Sequence, residues 1–244
     1  MKSGIPFTVR RWSAWAPSLD GPEAWQQWAR GEADIPVGEV TPDVRDLPAG
    51  LRRRLSRLGK IALRVAMDVE PEENSRVVFS SRNGNVNEML SLLQSLAVEE
   101  PISPTGFGMS VHNSLAGMLS IVRKNRAAQT AIAAGGESLC LGLIEALACL
   151  NEDPSSPVLL LHADETLPDF YAPFQDREVP VCALALVIDA AAQGEGAYSF
   201  GFSGTQTRDM PGDPMTSFIR FLLRGETNWN WSGAEGDWWC RRHA

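Results

Sequence analysis

The residues whose types and spacing could do chemistry gather at one corner, Ala134-Gly135-Gly136-Glu137-Ser138, with Cys140 one helical turn past Gly136. A short apolar run, Thr130 to Ala134, leads in, and an apolar segment, ESLCLGLIEALACL, leads out. A strand-to-helix turn aims backbone N–H groups and one side chain beyond the strand's carboxyl end, where many α/β enzymes hold a nucleophile. Acyl transfer through the Ser138 hydroxyl or the Cys140 thiol is the chemistry such a corner would serve. No His–acid pair is suggested beside Ser138, and Cys140 sits among Leu139, Leu141 and Leu143, the setting of a small packing residue. Elsewhere, His162-Ala163-Asp164-Glu165 offers nitrogen and oxygen donors. No second histidine lies near and the spacing fits no metal motif, so neither a metal nor another cofactor is expected.

Around the corner, helix and strand patterns alternate in the grammar of an α/β sheet flanked by helices. Leu115, Met118, Leu119 and Val122 fall at helical spacing after a cap at Ser110 or Asn113; Leu139, Leu143, Ala146 and Leu150 repeat it after the corner. Strands are expected at Ile5–Trp12, Arg76–Ser81, Thr130–Ala134, from Pro157 to Leu161, Val181–Asp189 and Ala197–Phe202, the last paired with its predecessor through Gly194 and Gly196. Helices are expected at PEAWQQWAR, with Trp25 and Trp28 covering a sheet edge. Another should run without a break from Pro48 to Val69. A third spans Val86 to Leu96, with Met89, Leu92, Leu93 and Leu96 inward, and a last one Pro214 to Arg224. Segments 32–49, 171–176 and 204–213 read as loops. The end of the chain, 225–244, carries Trp229, Trp231, Trp238 and Trp239 and must fold back onto the domain or a partner.

The central stretch resembles the β-ketoacyl synthases of the thiolase-like superfamily. Ile102-Ser103-Pro104, Asn113 and Ala116-Gly117 match the segment that precedes the family's nucleophile, and continuing without gaps places Gly136 at the cysteine position. A glycine cannot form the acyl thioester. A complete synthase has two related halves and about twice this length, with its catalytic histidines in the second; His112, His162 and His243 match neither motif. The resemblance is therefore to noncatalytic chain-length factors, and at this length to the short form of aryl polyene clusters. It implies one ketosynthase N-terminal-like domain over residues 1–244, a layered mixed sheet flanked by helices.

That resemblance also implies a heterodimer with a catalytic ketosynthase and, through the complex, contact with an acyl carrier protein. Thr130, Ala131, Ile132, Ala133 and Ala134, with Asn113, would form the partner interface. The residues support this independently, since the strand carries no charge or proline to protect an edge. Phe107, Met109 and Val111, in a glycine-flanked loop, would line the partner's acyl tunnel. Arg52, Arg53 and Arg57 belong to a basic face that is either solvated or docks an acidic carrier. Two readings compete with the noncatalytic subunit: a stand-alone acyl-thioester enzyme using Ser138 or Cys140, and a carrier-binding scaffold.

Composition narrows the setting. The chain has 244 residues, 44 % hydrophobic and 21 % charged, enough to bury a large core. A net charge of −8 argues against a general nucleic-acid binder. Cys140, Cys149, Cys182 and Cys240 lack CxxC spacing, which favours reduced thiols in a cytoplasmic protein. No apolar run approaches the ~18 residues of a membrane span, and the N-terminus lacks a signal peptide's apolar region.

Overall fold

The computed structural model describes residues 4–19, 21–36, 38, 40–175, 179–192, 194, 196–204 and 212–243. Its strands are β1 (Ile5–Trp15), β2 (Arg76–Ser80), β3 (Gln129–Ile132), β4 (Val158–Asp164), β5 (Cys182–Ala190), β6 (Tyr198–Ser203), β7 (Asn228–Ser232) and β8 (Asp237–Arg242). Its helices are α1 (Gly21–Arg30), α2 (Ala49–Arg52), α3 (Arg57–Asp68), α4 (Val86–Ala97), α5 (Pro104–Ser110), α6 (Ser114–Arg123), α7 (Ser138–Glu152) and α8 (Pro214–Arg224). The strands form one sheet in the order β3-β2-β4-β5-β1-β6-β8-β7. β3 and β4 flank β2 in parallel, whereas every pairing from β4 outward through β5, β1, β6 and β8 to β7 is antiparallel.

Apolar runs explain the centre of the sheet. β4 is buried at every position, and β5 from Cys182 to Ile188, because both faces of the sheet are covered. One face packs Leu159, Leu161, Val187 and Phe79 against α3 and α6. The other packs Leu160, Leu186 and Ile188 against α7, α1 and α8. α7 is apolar around most of its circumference, so the sheet alone cannot bury it. Phe200, Phe218, Trp229, Trp231 and Trp238 complete its cover. The tryptophan-rich end thus folds back onto the domain as the β7–β8 hairpin, with β8 paired to β6.

Several expectations are corrected. The helix from Pro48 to Val69 is broken between Arg53 and Ser56, where the Ser56 hydroxyl caps α3 by accepting from the Gly59 N–H and donates to Asn85 Oδ1. β6 pairs with β1, at Phe7 opposite Tyr198, rather than with β5. The segment around Phe107 is α5 rather than a loop, started by Ser103, which accepts from the Gly106 N–H, with Pro104 in the first turn. Residues 169–174, overlapping the expected loop 171–176, form a turn of 3₁₀ helix. On α4 only Leu90 is buried, while Met89, Leu93 and Leu96 face outward. Residue 176 of that loop, residues 205–211 of the loop before α8, and 193 and 195 beside Gly194 lie outside the described residues.

Candidate functional site

The corner is held by hydrogen bonds that use up its hydroxyl. β3 ends at Ile132, Gly135 takes the left-handed conformation (φ 55°) that glycine adopts without penalty, and Gly135–Glu137 make a 3₁₀ turn into α7. Ser138 Oγ accepts from the Ala134 N–H at 3.0 Å and donates to the Gly135 carbonyl at 2.8 Å. Cys140 is buried in the core under α8, and burial pushes its thiol well above the usual range. A thiol held protonated is a poor nucleophile. Gly136 itself presents backbone only. The space lined by Gly136, Ser138, His162, Asp164 and Asp213 measures about 10 Å³, room for about one water molecule and too small for an acyl group.

Beneath the corner lies a buried polar network that sequence reasoning missed. His162 Nδ1 is 2.8 Å from Ser80 Oγ and its Nε2 is 3.2 Å from Asp164 Oδ2. Asp164 Oδ1 accepts from the Ser81 hydroxyl and the Arg82 N–H, both at 2.8 Å, and Ser81 Oγ accepts from the Gly84 N–H. The connectivity of Ser80, His162 and Asp164 is that of a catalytic triad, but its serine faces protein on every side. A Cβ on Gly142 of α7 would come within 2.7 Å of Ser80 Oγ, so the helix seals that hydroxyl from any substrate. The network instead ties the 81–84 turn to β4. Among the described residues no group of three or more His, Cys, Asp or Glu side chains is placed to hold a metal ion.

β3 is the edge strand of the sheet, paired with β2 on one side. Thr130, Ala131, Ile132 and Ala134 are half-buried and Ala133 is exposed. Asn113 is exposed at the N-cap of α6 without a side-chain capping bond, and His112 Nε2 lies 2.9 Å from the Ile132 carbonyl. From this edge α6, α5 and α4 pack in succession. They expose Ile121 (70 %), Phe107 (62 %) and Leu96 (57 %), an apolar load unusual for a solvated surface. The three tunnel candidates divide. Phe107 and Val111 are exposed, whereas Met109 is buried in the core shared with α3 and α6.

The basic face is mostly committed to structure. Arg52 donates to the Arg45 carbonyl at 3.1 Å, and Arg57 to the carbonyls of Gly38 and Val40. Arg64 is paired with Asp46 and Asp68. Arg53 is exposed.

This mixed sheet flanked by helices, with its strand-to-helix corner at Gly136, is the thiolase-like fold of a ketosynthase half. The chain belongs to the family of the β-ketoacyl synthase N-terminal domain, whose model matches residues 25–240. Among solved structures it is similar to a chain of the ketosynthase ApeO in complex with its chain length factor ApeC from Xenorhabdus doucetiae. That match has 28 % identity over 98 % of this chain and 100 % of that one, with a TM-score of 0.84. The ishigamide ketosynthase/chain length factor shares the fold at 20 % identity and a TM-score of 0.62, over 77 % of this chain and 63 % of that one. A β-ketoacyl synthase from Burkholderia phymatum shares it at 11 % identity and 0.59, over 91 % and 71 %. No curated protein matches the chain. Among the described residues no helix is long and apolar enough to cross a membrane.

Proposed function

We propose that this chain is a noncatalytic, chain-length-factor-like subunit that pairs with an active ketosynthase in an aryl-polyene-type, type II polyketide pathway. What supports the reading is the corner: the family resemblance puts Gly136, which has no side chain, at the nucleophile position, and in the structure the neighbouring hydroxyl is held by backbone bonds and the neighbouring thiol is buried. Condensation needs a nucleophile to hold one acyl chain and donors to stabilise the oxyanion. Gly136 has no side chain to serve as the nucleophile and none of the chain's histidines matches the family's donor motifs, so on this reading the work falls to a partner. The open β3 edge, with exposed apolar side chains on α4 to α6, supports a large apolar interface there. Phe107 and Val111, exposed on and just after α5, are the residues we assign to the partner's acyl tunnel. The acyl carrier protein meets the complex rather than this chain alone, since Arg52 and Arg57 are occupied in bracing Arg45, Val40 and Gly38.

Co-expression with the cognate ketosynthase and size-exclusion chromatography tests the pairing. Equal stoichiometry in one peak is expected. A chain that elutes alone in the partner's presence, or hydrolyses acyl thioesters by itself, would return the stand-alone enzyme to favour; binding to carrier protein without ketosynthase would favour the scaffold.

A further inference from the structure

A large groove lies beside β1, four strands away from β3 in the sheet. β1 runs from Ile5 to Trp15 and pairs with β5 from Phe7 to Trp15, but with β6 only at Ile5, Pro6 and Phe7. Among the described residues no strand pairs the outer edge from Thr8 to Trp15. In an antiparallel ladder alternate residues turn N–H and C=O groups toward that outer side. Arg10, Arg11 and the register shift between Val9 and Arg11 guard the first half of this edge, whereas Trp12-Ser13-Ala14-Trp15 carries none of the charges or prolines that would guard the second.

The groove measures about 830 Å³ and is bounded by these residues, by Trp25 of α1 and by Thr41 to Asp43. Trp15, Leu19 and Trp25 are buried and give it an apolar floor. Asp43, Arg64 and Asp68 line one end. There Arg64 pairs with Asp46 at 2.9 Å and Asp68 at 2.7 Å, and Arg45 pairs with Asp43 at 2.5 Å. Three carboxylates meet two guanidinium groups, so one negative charge is left over. The Arg45 guanidinium holds the Asp43 carboxyl down to about 2, so it stays ionised at neutral pH.

We propose that the groove docks an extended polypeptide segment that adds a strand to the free edge of β1, with apolar side chains against Trp12 and Trp25 and a lysine or arginine toward Asp43 and Asp68. Strand addition takes affinity from backbone bonds and specificity from pockets for alternate side chains, and this groove supplies both. The proposal does not depend on the β3 interface, which lies at the opposite margin of the five strands β3-β2-β4-β5-β1.

Hydrogen exchange of the full chain, read by mass spectrometry, tests it. The probe is a blocked octapeptide of alternating valine and lysine. Two controls replace lysine by glutamate or place a central proline. The Val–Lys peptide should slow exchange across residues 12–15 by about tenfold and leave residues 129–132 unchanged; neither control should do so. Thr41→Arg, an exposed rim substitution, should abolish the effect without lowering Tm. The proposal is overturned by absence of protection at saturating peptide, by equal protection from the glutamate or proline peptide, or by full protection in Thr41→Arg. Protection that appears without peptide and grows with protein concentration would assign the edge to a second copy of the chain and equally overturn it.

Discussion

Replacing Met109 with alanine should destabilise this chain, whereas replacing Phe107, two residues away on the same helix, should leave its fold intact and change what it does for a partner. Met109 is 6 % exposed and packs in the core with α3 and α6; Phe107 is 62 % exposed. The Met109 carbonyl also accepts from Asn85 Nδ2 at 2.6 Å and Ser114 Oγ at 2.9 Å, so the backbone around the side chain is pinned and cannot collapse into the space left behind. A buried Met→Ala change of this kind costs about 2–5 kcal/mol. For a domain of this size each kcal/mol moves Tm by about 2–4 °C, which gives a fall of roughly 4–20 °C. Phe107→Ala should stay within about 0.5 kcal/mol of wild type, as surface substitutions do. Scanning calorimetry of both variants, followed by mass spectrometry of carrier-bound products from complexes with the ketosynthase, separates packing from tunnel lining. Met109→Ala should lose Tm and Phe107→Ala should give longer or broader products. Wild-type melting of Met109→Ala, or an unchanged length distribution from assembled Phe107→Ala complexes, would refute these assignments.

Gly142→Ala should destabilise by about 1–3 kcal/mol despite alanine's better helix propensity, because the new Cβ would meet Ser80 Oγ at 2.7 Å; urea denaturation checks it. Ser138→Ala should cost about 1–3 kcal/mol through the orphaned Ala134 N–H, with product flux kept in complexes that assemble. Cys140 should resist iodoacetamide in the native chain at pH 8, since its raised thiol pKa keeps it protonated there, and react once the chain is unfolded. Trp231→Ala should cost about 3–5 kcal/mol by opening the cover of α7, enough to leave most of the chain insoluble.

Much of the sheet is legible in the sequence because β-branched and apolar runs at 76–81, 157–161 and 181–189 must be buried on both faces, although β4 continues past Leu161 through His162 to Asp164. The corner was equally legible, since glycines between an apolar run and an apolar helix have few other uses. The break before α3 was not: Leu55 and Leu58 keep helical spacing across it, and only the Ser56 cap and its bond to Asn85, 29 residues away, reveal that the helix restarts. On α4 the periodicity gave an apolar stripe without saying what it faces, and the stripe turns out to face outward. His162 read as an isolated donor because its partners, Ser80 and Asp164, meet it only through the pairing of β2 with β4. A β6 pairing with β1 rather than β5 likewise depends on residues far apart in the chain, beyond the reach of local patterns.

The central claim, that chemistry belongs to the partner and Gly136 marks a corner without a nucleophile, is tested most directly by intact-protein mass spectrometry. The co-purified complex is incubated with an acyl-loaded carrier protein and each subunit is weighed. The account predicts an acyl adduct on the ketosynthase subunit and an unmodified mass for this chain. An adduct on this chain, retained in the complex and lost in Ser138→Ala or Cys140→Ala, would contradict it.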